Sequence, residues 1–267
     1  MVNRAPRLSF ITPTANRPSL LPFTYSFVCA MDEPDWEWVV LDDGEAPSQF
    51  LAELSDGRVR YLRTAPGLTL GAKRNAAAAA ARGRIILHID DDDYYAPSYA
   101  SRMVARLDEG VGLAKLGAWL VVAVEQSVLG WVDTARRAGP HWELSGRGVR
   151  PVRLRGEGHG QALDADEVIV QTPEVGWGFS FAYRRETWEA CPFPDTGWNE
   201  DGRFATEVVE RWGLGVVAGD PRLCLHLVHA NAVSASFPCR LLRPGVLRRL
   251  FPPAVTDLIR AAAALSA

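Results

Sequence analysis

Cysteine is scarce in this chain. The four present, Cys29, Cys191, Cys224 and Cys239, show no CxxC spacing, so neither a zinc knuckle nor a dense disulfide framework is indicated, and reduced thiols in a cytosolic protein are the simplest reading. Long apolar runs are also lacking. The longest, Leu116 to Val124, falls far short of the roughly 20 residues that a membrane-spanning helix needs. The opening MVNRAPRLSF passes from charged residues straight into a strand-like run, without the apolar core of a secretory leader. A charge excess is missing too: 29 Lys and Arg stand against 32 Asp and Glu, so there is no global basic field to hold a nucleic acid. Glycine is absent from TPTANRP after the first apolar run, which excludes the usual dinucleotide fingerprint. The segment GLTLGAKR has its glycines too close together, and no Ser or Thr follows its lysine, so it is not a phosphate-binding P-loop.

What is present is enough apolar residue, 48% of 267, to bury a substantial core. The first half alternates short β-branched runs with helical stretches, the pattern of a mostly parallel sheet flanked by helices, an α/β fold. Strands are predicted at Leu8–Thr12, Trp36–Leu41, Val59–Leu62 and Arg84–Ile89, with helices at Ser19–Ala30, Ser48–Leu54 and the alanine-rich Gly71–Ala81. Each strand runs into polar or acidic residues, and ligands of open α/β sheets bind beyond the carboxyl ends of strands. These endings are therefore expected to converge. A helix over Pro97–Glu109 and a strand or hairpin over Gly117–Val124 follow. Gln126–Ala165, rich in Gly and Arg, reads as a variable loop or small subdomain. Regular structure is expected again at Glu167–Val170, Gly178–Tyr183, Asp201–Trp212, Gly215–Ala218 and Leu223–Val228. The expected organisation is a single domain over 1–230 in two halves, 1–110 and 111–230, the second with a variable insert at 126–165. A C-terminal helical tail spans 231–267, containing the basic amphipathic Arg240–Leu250 and a closing helix, Pro253–Leu265.

Four consecutive aspartates, Asp90 to Asp93, end the fourth apolar run. Adjacent like charges repel, and hard oxygen donors in such a cluster suit Mg2+ or Mn2+ carrying a diphosphate. A solvated acidic loop is the plainer reading of the run taken alone. A calcium loop is excluded, because its sixth position would be Tyr95 and its twelfth Ser101.

The ordered set SFITPTANRP, EWVVLDDGEAP, GAKRNAAAAAARGRIILHIDDDDYY, GFSFAYRRETW and WNED resembles the family-2 glycosyltransferases of GT-A fold, over Leu8 to about Trp212. The resemblance implies an inverting transfer from a nucleotide-sugar, with UDP as the default nucleotide, and makes 1–230 the catalytic domain, 1–110 its nucleotide-binding half and 111–230 its acceptor-binding half. Asp90 and Asp92 would form the D-x-D pair, Asp90 facing the donor ribose and Asp92 ligating the metal. Asp91 and Asp93 stay ambiguous, and Asp93 could cap the following helix. Asp42 or Asp43, with Asp42 preferred, would read the base while the other organises the turn into Gly44; an ordinary Asp-Gly turn is the rival. Thr12 and Thr14 would line the nucleoside pocket, or serve as helix caps. Lys73, Arg74 and Asn75 open the alanine helix, where a cation could counter the donor phosphates. A basic exposed first turn is the alternative.

The resemblance maps the general base onto Asp201, with Glu200 beside it. Both residues could equally cap the helix they open. His229 would complete the metal shell or be structural, and imidazole would favour manganese. His226 and His88 read as structural. Trp177 and Trp198 are candidates for the acceptor face, although large aromatics are more often core. The expected acceptor is a glycan, a lipid-linked glycan or a small molecule. The cationic tail is compatible with peripheral contact at the inner face of the membrane, although packing on the catalytic body is the default. A sugar-phosphate nucleotidyltransferase, and a silent nucleotide- or carbohydrate-binding module, are the competing functions. The former should carry a glycine-rich basic loop after its first strand, and TPTANRP does not.

Overall fold

The computed structural model describes residues 4–154, 169–170, 175–232 and 235–265. Residues 155–165 of the variable stretch and the start of the strand expected at Glu167–Val170 lie outside them. Two compact units form, Met1–Leu116 with Glu174–Val217, and Gly117–Pro173 with Ala218–Ala267.

The chain begins β1 (Leu8–Thr14), α1 (Leu21–Cys29), β2 (Trp36–Asp42), α2 (Gln49–Glu53), β3 (Val59–Arg63), α3 (Leu70–Ala80) and β4 (Ile85–His88). It continues with β5 (Tyr94–Tyr95), α4 (Tyr99–Leu107), β6 (Leu113–Leu116), β7 (Ala118–Ala123), β8 (Val128–Asp133), β9 (Gly139–Ser145), β10 (Gly148–Leu154) and β11 (Ile169–Val170). Last come β12 (Ala182–Arg184), α5 (Arg185–Ala190), α6 (Glu200–Trp212), β13 (Leu214–Val217), β14 (Cys224–Val228), β15 (Arg240–Leu242), α7 (Leu247–Leu250) and α8 (Pro253–Ala264).

The first unit is built on a seven-stranded sheet ordered β13-β6-β12-β4-β1-β2-β3. Strands β1 to β4 are mutually parallel, and β12 is antiparallel to both β4 and β6. Every residue of β2 (WEWVVLD) is buried, as expected of a parallel strand covered on both faces. Thr69 caps α3, its hydroxyl accepting the Ala72 N–H at 3.1 Å. Ala77 and Ala78 are wholly buried, and their small side chains let the helix lie close on the sheet. In α6, Phe204, Ala205 and Val208 face a core shared with Phe181, Tyr183 and Phe193, while Arg203, Glu210 and Arg211 stay exposed. Gly213, at φ 79°, ends the helix.

In the second unit β15, β8, β7 and β14 pair in that order, and β9, β10 and β11 form a separate sheet. The stretch from Gln126, expected as a loop or subdomain, carries three strands as far as Leu154. In β10, Val152 and Leu154 point inward while Arg153 is exposed, and Arg150, on the face of Val152, is exposed too, so the period of two shows only at the end of the strand. Three other expectations change in detail. Gly178–Tyr183 is a 3-10 turn over Gly178–Ser180 followed by β12, because Trp177 takes a left-handed φ of 67°. The strand β6, which the sequence did not suggest, carries a buried lysine, Lys115, in its middle. Arg240–Leu250 opens as a strand paired with β8 and ends as one helical turn. No helix among the described residues is long and apolar enough to cross a membrane.

Candidate active site

Because β1 to β4 run parallel, their carboxyl ends open on one edge of the sheet, where the sequence placed the site. Asp90, Asp92 and Asp93 follow β4, and each turns one carboxylate oxygen toward the others, all within 4.8 Å. Asp92 and Asp93 are buried. Asp90 Oδ1 is buried with no hydrogen-bond partner, and burial pushes the Asp90 carboxyl up to about 8, against the pull of Arg74 and with the other three aspartates adding to the rise. A convergent, desolvated set of oxygen donors with an orphaned acceptor suits a hard divalent cation. Asp93 joins this group and does not cap α4, whose N-cap is Ser98 without a side-chain bond.

Asp91 faces elsewhere. Thr14 donates its hydroxyl to Asp91 Oδ2, and Arg17 Nη1 lies 3.0 Å from Oδ1 and 2.8 Å from Asp92 Oδ2. Arg17 was not singled out from the sequence. The signal available was a cation three residues beyond Thr14 in the loop that meets the aspartates.

Thr12 and Thr14 lie within β1 and cap no helix; α1 has Leu20 at its N-cap without a side-chain bond. The Thr12 hydroxyl is committed inside the sheet, donating to Ile89 O at 2.6 Å and accepting the Trp38 indole N–H at 2.8 Å. Of the Asp-Asp pair, Asp42 makes the turn: its Oδ1 accepts the Gly44 N–H at 2.8 Å, while Oδ2 accepts from Tyr61 and Arg63. Asp43 accepts the Gly67 and Leu68 amides at 3.3 and 3.2 Å and pairs with Lys73. Lys73 is thus not simply a solvated first-turn residue. Asn75 holds the segment before α6, accepting the Phe193 N–H at 2.9 Å and donating to its carbonyl at 2.8 Å.

Arg74 reaches across to Glu200, and the two form a buried ion pair. Burial pushes the Glu200 carboxyl up, Arg74 opposing and Asp201 adding to the rise. Asp201 accepts the Gly178 N–H on Oδ2 and the Gly202 N–H on Oδ1, both at 2.7 Å. Neither acid is the helix cap, a position held by Asn199 at φ 55°; both lie inside the first turn. Only glycine fits at 178, where a Cβ would stand 2.7 Å from both Arg74 Nη1 and Asp201 Cβ. His88 is buried as the sequence suggested, its ring nitrogens 2.6 Å from Gly178 O and 3.0 Å from the Tyr183 hydroxyl. Trp177 is half-buried with Lys115 Nζ 4.6 Å from its ring centre. Trp198, three residues before Asp201, is 73% exposed.

In the second unit His229 is buried at the end of β14, its Nδ1 accepting the Asn231 N–H at 3.3 Å. His226 is buried within that strand.

Residues 9–121 match the model of Glycosyl transferase family 2. This part of the chain is thus similar to the family-2 glycosyltransferases, and the sheet order with its aspartate-bearing strand end gives the chain a GT-A fold. A protein named for colanic acid biosynthesis glycosyl transfer, WcaA of Escherichia coli (strain K12), is 33% identical over 104 residues, 38% of this chain and 37% of its own length. The chain therefore spans little more than a third of that relative. Among solved structures, the mannosyltransferase PcManGT of Pyrobaculum calidifontis, in complex with GDP-Man and Mn2+, superposes with a TM-score of 0.56 at 18% identity, covering 84% of this chain and 57% of that one. TarS (residues 1–349) of S. aureus, in complex with UDP-GlcNAc, gives 0.54 at 17% identity, with 83% and 58% covered. At such identities these likenesses describe the fold.

Proposed function

We propose that the protein is an inverting glycosyltransferase that moves a sugar from a nucleotide-diphosphate donor, a UDP-sugar by family resemblance, to an acceptor hydroxyl. The observation that carries this reading is the three-carboxylate group at the end of β4 together with Arg74, whose charge acts on Asp90 while its guanidinium pairs with Glu200, the neighbour of Asp201. One buried cation thus connects the diphosphate end of the site to the acceptor end.

Asp90, Asp92 and Asp93 would hold Mn2+ or Mg2+, which when bound supplies positive charge to the departing diphosphate. Arg17, already against Asp91 and Asp92, holds their carboxylates in place. Asp43 and the turn closed by Asp42 form the floor for the nucleoside. Asp201, anchored by two backbone amides, takes the proton of the acceptor hydroxyl as that oxygen bonds to the anomeric carbon. The bond to the diphosphate oxygen breaks on the opposite face, so the configuration inverts. Trp198, exposed three residues before Asp201 in the chain, offers an aromatic face to the acceptor sugar or its aglycone.

A panel of nucleotide sugars, scored by thermal shift and by nucleoside diphosphate release with and without Mn2+, tests the reading. Stabilisation by one nucleoside diphosphate only in the presence of metal supports it. Equal stabilisation without metal, or a pyrophosphorylase reaction with a nucleoside triphosphate, overturns it in favour of the binding module or the nucleotidyltransferase.

A further inference from the structure

Three short hydrogen bonds lead from the sheet interior to the first turn of α6. The Tyr183 hydroxyl is 3.0 Å from His88 Nε2, His88 Nδ1 is 2.6 Å from Gly178 O, and Gly178 N is 2.7 Å from Asp201 Oδ2. The Gly178 carbonyl can only accept, so Nδ1 carries the ring proton and the bare Nε2 accepts from Tyr183. Donors and acceptors therefore fit in one arrangement only. His88 and Tyr183 are buried at 1% and 0%.

An apolar side chain would pack as well at position 88, against Phe181, Tyr183 and Phe193. What it could not do is replace the ring N–H on the Gly178 carbonyl, which would keep only the longer 3.3 Å bond from the Phe181 N–H. That glycine has no side chain of its own to hold it, and it lies pressed between Arg74 and Asp201. It follows a residue in a left-handed conformation, so its orientation rests on its backbone bonds. The carbonyl is held from below by His88, and the amide holds the carboxylate above.

We infer that His88 and Tyr183 are positioning residues for Asp201, acting through the Gly178 backbone; this rests on the reading of Asp201 as the general base. A carboxylate must sit within about 0.5 Å of its productive place to take a proton efficiently. The buried pair fixes the peptide after Gly178, which shares the Gly178 Cα with the peptide whose N–H sets this place, without touching donor or acceptor.

The experiment uses the full chain with Mn2+ and GDP-mannose or UDP-N-acetylglucosamine, following nucleoside diphosphate release together with the dissociation constants of GDP and UDP. His88→Leu is expected to lower kcat about 10- to 100-fold while leaving the nucleotide dissociation constant within about twofold. His88→Asn, whose amide nitrogen stands where Nδ1 does, restores most of the loss. Combined with Asp201→Asn, His88→Leu adds nothing further, because the two act on one step. Equal losses in the Leu and Asn variants, or effects that multiply in the double variant, overturn the inference. Tyr183→Phe, which keeps the ring packing, serves where His88→Leu does not fold, with a smaller loss in the same parameter.

A second measurement does not depend on the chemistry. The Gly178 amide resonance of the metal-free protein should move on Asp201→Asn, on His88→Leu and on Tyr183→Phe, and its hydrogen exchange should quicken in the last two. An amide indifferent to His88 and Tyr183 overturns the positioning role. Full turnover in Asp201→Asn beside a responsive amide overturns the choice of base and leaves the positioning of the carboxylate standing.

Discussion

Arg74 and Glu200 stand 126 positions apart in the chain yet form an ion pair in which both side chains are only 4% exposed. Arg74 lies in the second turn of α3 and Glu200 opens α6, so the pair joins α3 to the helix that carries Asp201. Removing one partner strands the other charge in the interior. Arg74→Met is expected to lower the unfolding free energy by about 3 kcal/mol, read from urea denaturation, and Glu200→Gln by a similar amount, because its amide still accepts from the guanidinium but leaves that charge uncompensated.

The same pair has a pH signature. Burial holds the Glu200 carboxyl above its ordinary range, more than Arg74 pulls it down. The folded protein thus holds that proton more tightly than the unfolded chain, so this contribution to stability is fully present below the unfolded value of about 4.3. It is lost as the pH rises through the folded value. The unfolding free energy of the wild type should fall relative to Glu200→Gln over this window, and parallel curves would contradict the assignment.

Two adjacent aspartates should respond oppositely to metal. Asp92→Asn removes a member of the convergent group and is expected to weaken Mn2+ binding at least about tenfold, with loss of metal-dependent stabilisation by nucleoside diphosphate. Asp91→Asn breaks the contacts with Thr14 and Arg17 and should lower the melting temperature of the metal-free protein, with a smaller change in metal affinity. Calorimetric titration with Mn2+ separates the two outcomes.

Asp201→Asn keeps one of the two backbone amides as a partner of its carbonyl, loses the other to an amide nitrogen that cannot accept, and cannot take a proton. Turnover should drop about 100- to 10,000-fold at unchanged nucleotide affinity. Steady-state kinetics beside nucleotide titration makes the check.

Gly178→Ala forces a methyl against Arg74 and Asp201 Cβ. Destabilisation of about 1–3 kcal/mol should accompany a loss of turnover, measured by denaturation and assay of the same preparation. Trp198→Ala, at an exposed side chain, should change stability by no more than about 0.5 kcal/mol while raising the acceptor KM.

Much of this site was legible in the residues because α/β architecture is written locally. β2 is apolar but for Glu37 and its terminal Asp42, the alanines of α3 favour helix, and Asp90 to Asp93 follow β4 after a single residue. Strand ends of a parallel sheet share one edge, so the converging segments could be named before their geometry was known. β10 was hidden because Arg150 and Arg153 interrupt its apolar pattern, and β6 because a lysine sits in its middle. Asp93 could be read as a helix cap, since its place beside Asp90 and Asp92 depends on how the loop turns.

By itself the sequence determined the parallel half of the fold, the absence of a glycine phosphate loop and the presence of an acidic strand end, since each depends on neighbours a few residues apart. Only the tertiary structure decided which charges pair: Arg74 with Glu200, Lys73 with Asp43, and Arg17 with Asp91 and Asp92. It also put Gly178 between His88 and Asp201. Such partners meet through the packing of α3, α6 and the sheet, and the strength of a buried hydrogen bond or ion pair depends on a distance in space that no spacing along the chain encodes.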